Sequence, residues 1–319
     1  MLYALALIPV AGLLAFIYFN DKNEKEPFGL LIALFFAGMG TIVTAIISEF
    51  IGGAFLNAFF SKASIIGGIL DAMLIVAPAE ELGKFLVLRL ITWKNKHFNY
   101  SYDAIVYAVF VSLGFAAFEN VTYVLGSGAG GIGIALMRMF TAVPGHACFA
   151  VFMGFFYSKA KYASLTNKKG ACAGFTALAM IMPIITHGIY DAILMGGGSS
   201  EIDILSGLSL LIWIGYVIAL FVVSIIMIVK SARNDFCIVS LPVPDAAGVV
   251  QTIYRPSVIG GWTCSCGSVN QLNFCPKCGN QRPMSTTWYC PVCATPSAFN
   301  FCGHCGCPRP VSPTQTYTT

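Results

Sequence analysis

Two adjacent carboxylates and a lysine interrupt an otherwise apolar run at residues 76 to 91, VAPAEELGKFLVLRLI. An ionised Glu near the centre of a bilayer costs about 2.5 kcal/mol or more, so such groups line a bundle interior or a wet cavity. On a helix Glu80 and Lys84 are i,i+4 neighbours and Glu81 and Lys84 are i,i+3. The ammonium is expected to neutralise one carboxylate and leave the other for chemistry. Three further apolar stretches carry ionisable groups. FAAFEN sets Phe115 and Glu119 one turn apart with Asn120 beside them, PGHACFAVFMG places His146 two residues after Pro144, and THGIYD puts His187 and Asp191 on one face. A carboxylate at that spacing can take one imidazole N–H and fix the tautomer, leaving the other nitrogen for substrate, water or metal. Each piece alone also reads as interhelical hydrogen bonding or an ion pair, Glu119 with Arg138 for instance. Together they are suited to activating water, or to carrying protons.

The elements that must position these groups are membrane helices. Of 319 residues, 57% are hydrophobic and 10% charged, and the mean hydropathy of +0.78 excludes an ordinary soluble domain. The fold class expected is all-α and polytopic, with about seven spans: 2–19, 27–50, 65–91, 103–126, 132–157, 171–195 and 204–229, each near the ~20 apolar residues that a bilayer demands. Residues 2–19 lack a basic region ahead of them and a small-residue cleavage site after them, and read as a retained span. Pro27 marks the start of the second span, and Asp103 is a plausible N-cap for the fourth.

Lysine and arginine placement sets the orientation. Lys22, Lys25, Arg89, Lys94, Lys96, Lys159, Lys161, Lys168, Lys169, Lys230 and Arg233 collect on one side, Lys62 and Arg138 on the other. The positive-inside rule makes the first group cytoplasmic, the N-terminus external and everything after residue 230 cytosolic, in the plasma membrane of a prokaryote. Counted from the cytoplasmic ends, Glu80 and His146 lie roughly 11 residues in and Glu119 and His187 roughly 16, which is about 16 to 24 Å. Pro78, Pro144 and Pro183 precede these groups by a few residues, as befits a wet cavity at membrane depth.

Beyond a linker at 231–261 the composition changes. WTCSCGSVNQLNFCPKCG and WYCPVCATPSAFNFCGHCG are two copies of one small module spanning 262–307. Cys264, Cys266, Cys275 and Cys278 have the spacing for one tetrahedral zinc, and Cys290, Cys293, Cys302 and Cys305 for a second. A cytosolic tail is reducing, which argues against disulfides. Closed Cys₄ sites keep no open position for catalysis. Arg255, Lys277, Arg282 and Arg309 are too dispersed for nucleic acid. The module resembles double zinc ribbons, which implies an interaction unit for a cytosolic protein. The Pro- and Thr-rich end, 308–319, reads as disordered.

The ordered set Glu80-Glu81-x-x-Lys84, Phe115-x-x-x-Glu119, PGH around His146 and His187-x-x-x-Asp191, with the acidic loop ending Glu26-Pro27, resembles the PrsW-type intramembrane proteases over residues 1–230. These belong to the superfamily of the CAAX prenyl proteases, in which a histidine stands where this chain has Glu119 and an asparagine where it has Asp191. The resemblance implies an intramembrane endopeptidase with Glu80, Glu81, Glu119, His146, His187 and Asp191 as catalytic residues and Lys84, Phe115 and Asn120 in support. It also implies a membrane-protein substrate of the anti-sigma-regulator type. A transporter or proton pathway, and an inactive scaffold presenting the ribbons, compete with that reading. On the catalytic metal the resemblance is divided: PrsW-type enzymes are described as metalloproteases, while the CAAX relatives look glutamate-dependent. Two histidines and up to three glutamates could supply an open His₂Glu zinc site. With no H-E-x-x-H to fix two ligands on one helix, the residues favour a metal-free site.

Overall fold

The computed structural model describes residues 2–127, 131–198 and 203–238, and the backbone of four two-residue strands at 262–263, 269–270, 288–289 and 296–297. The described helices are α1 (Leu2–Asn20), α2 (Phe28–Asn57), α3 (Ile65–Asp71), a π turn (Ala72–Val76), α4 (Ala77–Thr92), α5 (Asp103–Gly126), α6 (Gly131–Phe140), α7 (Ala142–Leu165), α8 (Lys169–Gly198) and α9 (Asp203–Arg233). The chain is an all-α polytopic membrane protein. Among the described residues, five segments are long and apolar enough to cross a bilayer on those criteria alone: Phe28–Asn57, Asp103–Gly126, Gly131–Leu165, Lys169–Gly196 and Ser206–Arg233.

Two of the expected spans are broken. The third divides into α3 and α4 around the π turn, where the Ala77 N–H reaches back five residues to the Ala72 carbonyl. Pro78 follows within the first turn of α4 and has no N–H to give. The fifth divides at Thr141, whose backbone (φ −125°, ψ −69°) is not helical. Pro144 therefore sits in the first turn of α7, where proline is tolerated, instead of kinking a continuous helix. Pro183 does lie inside α8.

The fold is built around α5, which is buried from Asp103 to Ala117 without interruption. A helix apolar on every side is a core helix. It packs against α1, α2, α4, α6 and α7. Contact with α2 is close because both helices present glycine: a Cβ on Gly38 would strike the Val111 carbonyl, and one on Gly114 the Phe35 carbonyl. Small residues at such crossings let membrane helices pack backbone to backbone.

At one end of this bundle, three loops are tied together by buried and half-buried carboxylates. Asp235, after α9, accepts from Ser101 Oγ at 2.7 Å, Tyr102 N at 2.8 Å and Asn23 Nδ2 at 2.9 Å. The Asp103 carboxylate accepts from Asn99 N (3.0 Å) and Tyr100 N (2.7 Å). It braces the loop before α5 and does not cap the helix's own N–H groups, because it is the first helical residue and Tyr102 holds the cap position. Glu26 meets the Tyr107 hydroxyl. Lys25 donates to the Tyr18 and Asp21 carbonyls.

This unit runs to Ile238, and Val239–Thr319 forms a second compact unit. There β1 (Trp262–Thr263) pairs antiparallel with β2 (Val269–Asn270), with Trp262 opposite Asn270. β3 (Trp288–Tyr289) pairs antiparallel with β4 (Pro296–Ser297), with Trp288 opposite Ser297. The two hairpins recur with the sequence repeat. The eight cysteines expected to bind zinc and the 308–319 tail lie outside the described residues.

Candidate active site

Glu80 and Glu81 leave the first turn of α4, just beyond the π turn and Pro78, and both are buried, as is Lys84 one turn on. The Lys84 ammonium donates to Glu80 Oε2 at 3.0 Å and to Glu81 Oε1 at 2.7 Å. It thus binds both carboxylates, where the sequence suggested one, because the long side chain can reach both oxygens once it is fully enclosed. Its third contact is His146 Nδ1 at 3.2 Å, and its charge lies 3.9 Å from the centre of the Phe115 ring. That contact gives Phe115 its place: a cation–π floor beneath the ammonium.

His146 is held from both sides. An ammonium can only donate, so Nδ1 carries the lone pair and Nε2–H points to Glu119 Oε2 at 2.8 Å. Glu119 also pairs with Arg138 Nη2 at 2.8 Å. Asn120 lies away from the carboxylate pair: it accepts from Arg138 Nε at 2.9 Å and donates to the Ala6 carbonyl at 2.9 Å, so it locks Arg138 and α1 in place. The Ser112 hydroxyl donates to the His146 carbonyl.

His187 projects from α8 with Nε2 at 3.1 Å from Asp191 Oδ2 and Nδ1 at 3.0 Å from Glu81 Oε1. The spacing of His187 and Asp191 foretold the first contact. It also suggested a free second nitrogen, which the packing of α8 on α4 instead gives to Glu81. The His187 ring stacks on Phe149 at 4.6 Å (16° between planes) and meets His146 edge-on at 5.2 Å.

Sequence reasoning passed over two residues. Phe149 is three positions after His146 on α7, a helical spacing that could have flagged it. Glu49 is the one acidic residue within α2 and stands in the field of Glu119, Asp191, Asp71 and His187; its charge in a long apolar run was the available signal.

Ligand atoms from Glu80, Glu81, His146 and His187 all lie within 4.8 Å of one another. Two imidazoles and two carboxylates are a sound donor set for a divalent ion such as zinc. Glu81 Oε2, buried without a hydrogen-bond partner, is a further oxygen suited to a cation. The residues therefore fit a metal, provided that the Lys84 ammonium moves aside from the oxygens it now contacts. This donor set weighs against the sequence-based preference for a metal-free site. The donors converge across α4, α7 and α8, so no motif on one helix announces them.

Comparison with known proteins bears on this cluster. Residues 26–228 match the family model described as PrsW family intramembrane metalloprotease. A protein named Protease PrsW from Oceanobacillus iheyensis is 33% identical over 208 residues, 65% of this chain and 89% of that protein. The Clostridioides difficile protein of the same name is 32% identical over 195 residues (61% and 79%), and that of Bacillus subtilis 29% over 195 residues (59% and 80%). No solved structure gives a significant match.

Proposed function

Because the chain belongs to the PrsW family of intramembrane metalloproteases, we propose that its membrane protease activity resides at the cluster of Glu80, Glu81, His146 and His187. The observation that carries this reading is the convergence of those groups, buried, from three helices onto one point. Glu80 is the general base. Its side chain keeps 7% exposure, whereas that of Glu81 has none and is pinned between Lys84 and His187. Glu80 takes a proton from water as the water oxygen adds to the scissile carbonyl, and returns it to the departing amine. Lys84, turning one N–H from the carboxylates it now binds, presents it to the oxygen that gains negative charge, and without a metal His187 Nδ1–H, released from Glu81, does the same. Glu119 and Arg138 hold His146 in one tautomer, and Asp191 orients His187. A divalent ion held by His146, His187 and a carboxylate would supply Lewis-acid polarisation and a more acidic water.

The substrate class we infer is a single-span membrane protein of the anti-sigma-regulator type, cut near the outer boundary of its span. With the N-terminus outside, the ribbons face the cytosol and carry two structural zinc ions. There they hold the substrate's cytosolic domain or another partner protein at high effective concentration. Domain limits of 1–230, 231–261, 262–307 and 308–319 belong to the same proposal, as do the catalytic roles of Glu119 and Asp191.

The test is cleavage of a single-span substrate by the full chain in proteoliposomes. Glu80→Gln, Glu81→Gln and His187→Ala are expected to be near-silent; wild-type cleavage by all three would remove the site from consideration. Zinc per protein, measured before and after replacing the eight ribbon cysteines with serine, separates the sites. Metal that persists belongs to the membrane cluster.

A further inference from the structure

Between α2 and the π turn with α4 runs a cleft of ≈ 380 Å³ lined by Thr44, Ser48, Leu74, Pro78, Leu82 and Gly83, among others. Its lining on α4 borders the catalytic face: Ala79 immediately precedes Glu80, and Gly83 follows it by three residues, about 60° round the helix. Leu74 (60% exposed) and Leu82 (45%) leave the cleft open at the side, on the face this bundle turns to lipid. At the floor, Gly83 brings α4 against α2, where a Cβ would lie 3.1 Å from Thr44 Oγ1.

Three polar features make this more than an apolar groove. Pro78 has no N–H, so the Met73–Leu74 turn is one backbone donor short beside the cleft. The Ser48 hydroxyl also lines it. Thr44 donates to the Thr41 carbonyl at 2.8 Å, and its oxygen remains free to accept. Irregular backbone at membrane depth is tolerated where it is buried or lines a wet cavity, and an unanswered carbonyl there favours any ligand that brings N–H groups.

The volume says what such a ligand is. A helix about 10 Å across sweeps roughly 400 Å³ per turn, so the cleft takes a few residues of chain and not a complete spanning helix. We propose that it is the lateral seat for a locally unwound stretch of a membrane substrate, whose freed peptide N–H groups meet the donor-short turn and the two hydroxyls beside Glu80. This rests on the protease reading above and adds the path and conformation of the substrate.

A photo-crosslinking residue placed singly at 48 and 82 in the full chain, with 211 and 218 on the exposed face of α9 as controls, tests the seat. Adducts to a single-span substrate are expected from 48 and 82 and not from the controls. Equal labelling at all four, or labelling from α9 alone, would overturn the proposal. In parallel, Ser48→Phe should raise KM for the spanning substrate about tenfold with kcat retained, the mark of lost binding shared by ground and transition states. It should leave a short water-soluble peptide of the same sequence cleaved as before. Equal loss on both substrates would overturn the seat. If wild type cleaved neither substrate yet 48 and 82 still gave adducts, the protease reading would fall and the seat would stand.

Discussion

The carboxylates of the membrane site and those of the loop end are alike buried or half-buried, yet they are met by different partners. Glu80, Glu81, Glu119 and Asp191 face Lys84, Arg138 and two imidazoles, so each carboxylate has one oxygen within about 3 Å of a cation or ring nitrogen. Glu26, Asp103 and Asp235 are met instead by backbone N–H groups, hydroxyls and the Asn23 amide, while both Asp21 carboxyl oxygens lack a hydrogen-bond partner and the nearby Lys25 ammonium spends its hydrogen bonds on two carbonyls. The physical outcome differs accordingly. Charges held against countercharges are preorganised for chemistry. Carboxyls whose burial outweighs any countercharge keep their protons: burial pushes Glu26 up to about 8, with Asp21 and Glu24 adding to it and the Tyr107 hydrogen bond opposing, and burial pushes Asp21 up to about 7 against the pull of Lys25. One cluster is built to react and the other to clamp loops.

The largest effect that would sharpen this contrast is on activity. Glu80→Gln keeps the shape of the cluster and removes the base, and cleavage should fall by ~10²–10⁴-fold with the melting temperature nearly unchanged. A comparable loss from Asp235→Asn, scored in the same proteoliposome assay, would erase the distinction.

Next in size is Lys84→Met, which strips two buried carboxylates of the cation they share. Breaking a buried ion pair from one side costs about 3–5 kcal/mol, so thermal unfolding in detergent should shift down by many degrees. Unchanged stability would show that the cluster is not held by charge.

Gly114→Val probes what both regions share, since the α2–α5 crossing carries Glu26 and Asp103 at one end and Glu49 and Glu119 at the other. The added side chain meets a backbone carbonyl that cannot turn away, and overpacking of that kind costs about 1–3 kcal/mol or more. Stability and cleavage should fall together; cleavage falling alone would show that the crossing tunes only the site.

The smallest effect is a change of pH dependence. A carboxyl protonated when folded at pH values where it is ionised when unfolded stabilises the fold fully below its unfolded value, about 4.3. That stability drains away as pH rises through the folded value of about 8. Wild-type melting temperature should therefore decline from pH 5 to pH 9. Glu26→Gln, which keeps an acceptor for the Tyr107 hydroxyl, should flatten that decline and leave cleavage at pH 7 intact. An unchanged slope would shift the titration to Asp21 or Asp235, whose carboxyl is likewise raised by burial.

Much of this was legible in the chain itself. Long apolar runs can only be satisfied as helices in a bilayer, and ionisable residues too costly to face lipid had to face one another. Glu80, Glu81, Lys84, His146 and His187 could therefore be singled out from type and spacing, and the Glu26–Pro27 loop from the family resemblance. Local spacing also foretold the His187–Asp191 contact, which lies within one helical turn. What only the tertiary structure decided is everything that depends on how helices cross. The crossings give Lys84 both carboxylates and His146, turn the second nitrogen of His187 to Glu81, bring four metal-capable donors within 4.8 Å, and put Glu49 in the field of Glu119. Helical periodicity orders neighbours three and four residues apart, but the separations of 62 and 106 residues that join Lys84 to His146 and Glu81 to His187 are fixed by packing between helices.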